Sequence, residues 1–254
     1  SSGAASPAAA APAAAPRLLA SFGNGSAVAW SNLTATQLAN VTDPEWAGAT
    51  AADIAAIPAK SCVAFPSRAL TAMQPAAYAG FKGACVAGIA ADALAVVNGN
   101  DTMALTGDAC SGLGMEQLSA LDAGAFAGFQ PMCASELKGA STTVNASHAP
   151  CHGIQADGFA ALSPDAVSAL TVSCVAALAP GAGASASATT TAALSAKQCG
   201  ALTAAFMASL DGGAYGGFSV ACAAAFSVDD AASACGGITA AGFGHLSAGA
   251  TKAL

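Results

Sequence analysis

The sequence predicts a mainly α fold, a repeat solenoid of short capped helices. Three observations predict it. Large apolar residues recur every eight positions through Phe22, Trp30, Leu38, Trp46, Ile54, Cys62, Leu70 and Tyr78; three after each comes a second apolar or small residue, Gly25, Leu33, Val41, Ala49, Ile57, Phe65, Met73 and Phe81. A Ser, Thr or Asp follows the second apolar residue at Thr42, Asp122, Ser163, Asp211 and Ser247. Eight of the nine cysteines fall into four pairs of identical spacing, i with i+23. Self-similarity at a fixed period marks a repeat protein.

A step of three places two side chains on one helical face, whereas a strand would put them on opposite faces. A step of eight overshoots two helical turns by roughly 80°, so a single straight helix would carry the apolar line around its circumference. The chain must therefore be reset in every octad. Ser, Thr and Asp supply the reset as N-caps, whose side-chain oxygens accept the free amides of a new helix. Pro164 after Ser163 suits the first helical position, and Thr50 to Asp53 resembles a capping box with Asp in place of Glu. The five-residue step to the next apolar position has the spacing of a hydrophobic staple. Helices this short need stacked neighbours to persist.

Residues 1–21 form an Ala/Pro-rich arm, extended in character, without the charged and Leu-rich regions of a signal peptide. Residues 22–254 read as one repeat domain. Its cysteines mark units near 62–89, 110–137, 151–178 and 199–226, with an opening copy at 30–57 and an incomplete one at 235–254. Each unit spans about 28 residues, and variable segments separate them at 90–109, 138–150, 179–198 and 227–234. The third, rich in Gly, Ser, Thr and Ala, reads as an exposed loop. No apolar run reaches the roughly 18 residues of a membrane span, so no transmembrane segment is expected.

Eight cysteines allow 105 pairings, and the repeat favours Cys62–Cys85, Cys110–Cys133, Cys151–Cys174 and Cys199–Cys222. Such a bridge brings residues nearly three octads apart within about 7 Å, which predicts about three helices per superhelical turn. Zinc is a poor alternative, with no C-x2-C spacing and only three histidines. Cys235 would find its partner four residues past Leu254, in a continuation of the array or in another subunit.

Five of the six asparagines, Asn24, Asn32, Asn40, Asn100 and Asn145, begin N-x-[ST] sequons. The first three lie eight apart and predict a stripe of glycans along one face. Bridges and sequons together imply a secretory route, hence a secreted or cell-surface glycoprotein. Charged residues make up 8% of the chain, against about 25% in ordinary soluble domains. The net charge is −7. The seven dispersed basic residues leave no footprint for nucleic acid or anionic membrane.

The residues that could carry chemistry are few. His148, Cys151 and His152 could form a metal nest or a nucleophile with its base, but read better as a loop entering a disulfide. Asn98-Gly99-Asn100-Asp101 offers oxygen ligands without the length of a calcium loop. His245 has no evident acidic partner, and Asp229-Asp230 reads as a solvated turn. No catalytic residue, cofactor or resident metal is expected, and the chain does not read as an enzyme.

Runs such as Leu121-Asp122-Ala123-Gly124-Ala125-Phe126-Ala127-Gly128-Phe129 and Leu162-Ser163-Pro164-Asp165-Ala166-Val167-Ser168-Ala169-Leu170 resemble the short tandem repeats of microbial surface and extracellular repeat proteins. The resemblance covers most of residues 22–254 and implies a scaffold or adhesive role. The expectation is a structural glycoprotein that assembles with its own copies into an extracellular fibre or surface layer. The alternative is an adhesion module that binds glycan or protein through the inter-repeat segments.

Overall fold

The structure, a computed structural model, describes residues 21–22, 26–139, 146–226 and 234–254. The expected arm lies outside these residues except for Ser21. The fold is mainly α, built from α- and 3-10 helices of three to six residues. One antiparallel pair of two-residue strands, Ser21–Phe22 with Ser26–Ala27, precedes them.

Each octad ends and restarts its helix through backbone geometry. At the second apolar position the chain turns extended, with φ −62° and ψ 129° at Ile57 and φ −70° and ψ 139° at Leu121. The amide of Ile57 still bonds the Ile54 carbonyl at 3.1 Å, which closes the last turn. The following residue caps the next helix. Asp122 accepts from the Ala125 amide at 2.7 Å, Ser163 from Ala166 at 3.2 Å and Ser247 from Ala250 at 3.1 Å. Thr50 and Asp53 form the anticipated box, with the Thr50 amide donating to Asp53 at 2.9 Å and the Asp53 amide to Thr50 at 3.3 Å. Asp211 holds an N-cap position without a side-chain bond.

Packing follows a step of three octads, from i to i+24. Ala35–Asn40 packs on Ala59–Ala64, which packs on Gly83–Val86, Gly107–Ser111 and Pro131–Ala134 in succession. A second column begins with Asp43–Ala47 on Ser67–Ala72, and a third with Ala51–Ala56 on Pro75–Gly80. The three columns enclose a core of the two apolar ladder positions, in which Leu38, Trp46, Phe126, Phe159 and Tyr215 are fully buried. The columns approach closely: a Cβ at Gly80 would run into the Ala51 carbonyl, and one at Gly128 into that of Gly99. Only glycine fits there.

The structure differs from expectation between the cysteine-marked units. Residues 90–109 and 179–198 do not leave the ladder. They form helices such as Ala91–Leu94, Gly99–Met103, Ala188–Ala192 and Ala196–Cys199, and Leu94, Val97, Leu105, Ala186 and Leu194 are buried on the same two positions. The exposed loop read at 179–198 is therefore corrected. Its ladder positions are filled by Gly183, Ala186 and Thr191, whose small or polar side chains carry almost no hydrophobic signal. Thr191 is tolerated inside because its hydroxyl donates to the Ala214 carbonyl at 2.6 Å. The other two segments do add residues. Ala123–Ala127 packs on Ala156–Ala161, 33 positions on, and Gly212–Tyr215 on Ala240–His245, 28 positions on. The columns thus absorb nine and four extra residues without losing register.

Candidate functional site

The four predicted bridges are formed. Cys62–Cys85, Cys110–Cys133, Cys151–Cys174 and Cys199–Cys222 have Cα atoms 5.2 to 5.3 Å apart, inside the range a disulfide requires. Each joins two helices stacked in one column. The first two staple the column of Ala59–Ala64, and the last two staple the column of Pro150–Gly153 and Val172–Ala176. Cys235 is a free, half-buried thiol in the third column, on Ala234–Gly237. Burial pushes its pKa up, away from the reactive thiolate.

The structure places Asn32, Asn40 and Asn100 on exposed surface, while Asn24 and Asn145 lie outside the described residues. Asn32 ends the 3-10 turn Trp30–Asn32, and Asn40 ends Ala35–Asn40, where its Nδ2 donates to the Thr36 carbonyl at 2.9 Å. These two are not on one stripe. Trp30–Asn32 packs on Ala51–Ala56 in the third column, and Ala35–Asn40 belongs to the first. A step of one octad moves one column around the array; a stripe along it needs three octads. The predicted stripe is therefore corrected: sequons one octad apart stand around the first layer.

The oxygen-rich run at residues 98–101 serves as a helix cap. Asn98 Oδ1 accepts from the Asn100 amide at 2.9 Å, and Asp101 accepts from the Asn98 amide at 3.1 Å. Burial raises the Asp101 carboxyl pKa, and it raises that of Tyr78, whose hydroxyl donates to the Leu70 carbonyl at 2.7 Å. At the histidine cluster Cys151 is consumed in its bridge, and a ring nitrogen of His152 lies 3.3 Å from the Ala177 carbonyl.

Sequence reasoning missed a set of buried polar clasps between layers. Gln117 Nε2 donates to the carbonyls of Val86 and Ile89, both at 2.7 Å, and Gln198 Nε2 to those of Val167 and Leu170 at 2.9 and 2.8 Å. Ser61 does the same to Leu33 at 2.6 Å. The available signal was a polar residue immediately before an inward ladder residue.

A small apolar cavity of about 20 Å³ between Tyr78, Leu94, Thr102 and Leu113 has room for little more than a water-sized object. Two open depressions lie on the stapled columns. One, of about 350 Å³, is bordered by Gly83, Asp108, Gly112 and Lys138; the other, of about 490 Å³, by Val172, Ala196, Lys197 and Gly200. No helix among the described residues is long and apolar enough to cross a membrane. No family model matches the chain, and no curated protein or solved structure matches it.

Proposed function

We propose that this chain is a secreted or cell-surface structural glycoprotein whose three columns wind as a solenoid and whose copies assemble into an extracellular fibre or surface layer. The observation that carries this reading is the repeated staple. Four disulfides tie neighbouring layers of a chain whose core is otherwise rich in alanine. Each closes a sequence separation of 23 and stabilises the fold by about 3 kcal/mol in the chain-entropy account. That stiffens a rod more than it equips a reaction centre. The exposed sequons fit glycan attachment, which offsets the scarcity of surface charge. Exposed Val63, Met132, Val172 and Val220 give the flanks apolar points of contact.

Electron microscopy of the natively secreted, glycosylated protein tests the proposal. Regular fibres or sheets at modest concentration are the expected outcome. Dispersed monomers at every concentration would overturn assembly. They would leave the adhesion reading, whose segments are now confined to 138–150 and 227–234, where the extra residues interrupt the three-octad step.

A further inference from the structure

Three sequons lie wholly among the described residues, and the fold treats them in two ways. Asn32-Leu33-Thr34 and Asn40-Val41-Thr42 straddle the breaks between helices. In each, the asparagine is the last residue of its helix and the threonine is the extended N-cap of the next. The middle residue is the inward ladder position in extended backbone, with φ −64° and ψ 125° at Leu33 and φ −61° and ψ 132° at Val41. Leu33 and Val41 are buried, whereas both asparagines and both threonines are exposed. Asn100-Asp101-Thr102 instead lies inside the helix Gly99–Met103. Asn100 is exposed, Asp101 is buried, and Thr102 is fully buried, its hydroxyl donating to the Ala125 carbonyl of the next layer at 2.7 Å. That layer closes tightly, since a Cβ at Gly128 would overlap Thr102 Oγ1.

An N-x-[ST] acceptor is defined by its hydroxyl residue as well as its asparagine, so the enzyme that modifies it must reach residues i and i+2 together. Extended chain carries i and i+2 on one face. A helix turns about 200° over that step and carries them on opposite sides. The threonine inside the helix is also held there by packing. Thr191, equally buried, makes the same bond to the Ala214 carbonyl at 2.6 Å, in a copy where Thr189 stands in the place of Asn100.

We propose that the chain holds two classes of glycan acceptor: Asn32 and Asn40 accept sugar on the folded protein, and Asn100 accepts it only before Gly99–Met103 forms and the next layer covers Thr102. The inference rests on the glycoprotein reading. The donor is a lipid-diphosphate-linked oligosaccharide. Its anomeric carbon gains a bond to the asparagine Nδ2 as its bond to the diphosphate breaks; the diphosphate leaves with the electron pair, and the amide gives up a proton. Because Asn100 itself is exposed, a chain modified there still folds. Occupancy at Asn100 therefore records how long the third column stayed open, and occupancy at Asn32 and Asn40 does not.

The test compares the oxidised, folded protein, prepared free of glycan, with the same protein reduced, alkylated and unfolded. Each is given a purified oligosaccharyltransferase and its diphosphate-linked donor, and site occupancy is followed by peptide mapping. Folding is expected to slow transfer to Asn100 at least about tenfold, because access requires a packed layer to open, and to change Asn32 and Asn40 by no more than about threefold. Transfer to Asn100 as fast on the folded as on the unfolded protein overturns the proposal, and so does equal slowing at all three sites. Thr189→Asn, which puts an acceptor before the buried Thr191, is expected to behave as Asn100 does; transfer there unaffected by folding would overturn the rule drawn from the buried threonine. Natively produced protein without sugar at any of these asparagines counts against the glycoprotein reading, whereas the folded-to-unfolded ratios decide this inference by themselves.

Discussion

Cys62 with Cys85 and Gly183 with Phe206 are the same two positions of the fold filled in opposite ways. Both pairs have a sequence separation of 23 and sit on stacked helices. In the first, two thiols meet and close a covalent bond across a 5.3 Å Cα separation. In the second, the lower residue has no side chain, and the upper one is an aromatic whose ring reaches Phe159 two layers down, centroids 5.6 Å apart and perpendicular. Other pairs of this spacing fall between these extremes. The Thr102 hydroxyl bonds the Ala125 carbonyl at 2.7 Å, and Thr191 bonds that of Ala214 at 2.6 Å. Across the insertions, the rings of Phe126 and Tyr215 lie against bare glycines at Gly158 and Gly242. The lesson is that the i to i+23 spacing is a packing relation of the whole array, and cysteine is one of its occupants.

That comparison can be broken or sharpened by substitution. Phe206→Ala should have the largest effect, a loss of about 3 to 5 kcal/mol by chemical denaturation, because it empties a buried, ring-sized volume against Phe159. Replacing Cys62 and Cys85 by alanine should cost about 3 kcal/mol, read as a lower unfolding midpoint. Gly158→Ala should cost about 1 to 3 kcal/mol, since its Cβ would stand 2.6 Å from the Phe126 ring. Asp122→Ala removes only a cap and should cost about 1 kcal/mol in the same assay.

Much of this architecture was legible in the sequence wherever large residues mark the ladder. Trp46, Phe65 and Tyr78 fix the octad, and Thr50 with Asp53 marks a helix start that the structure reproduces. The four bridges followed from a repeated separation. Where Gly183, Ala186 and Thr191 hold the same inward positions, the pattern loses contrast, because burial there rests on close backbone approach and on a hydroxyl paired with a carbonyl. Phe206 was the one aromatic off the ladder. Its reason is three-dimensional: it stands one residue before the inward position, over Gly183 on the helix stacked beneath. The placing of Asn32 and Asn40 on separate columns corrects the stripe for a different reason. A period of eight gives the helix but not the angle between successive helices, which the i to i+23 cysteine spacing supplies and the stripe expectation did not apply.

The measurement that tests the account most directly is a disulfide map of a protein given one new staple. Val167 and Thr190 stand in the same i to i+23 relation, are buried, and sit on the stacked helices Pro164–Ala169 and Ala188–Ala192. In the Val167→Cys, Thr190→Cys variant, folded under oxidising conditions, a non-reducing peptide map should show these two cysteines joined to each other with the four native bridges intact. Two free thiols, or new cysteines scrambled onto the native ones, would contradict the stacking rule on which the fold and the proposed function both rest.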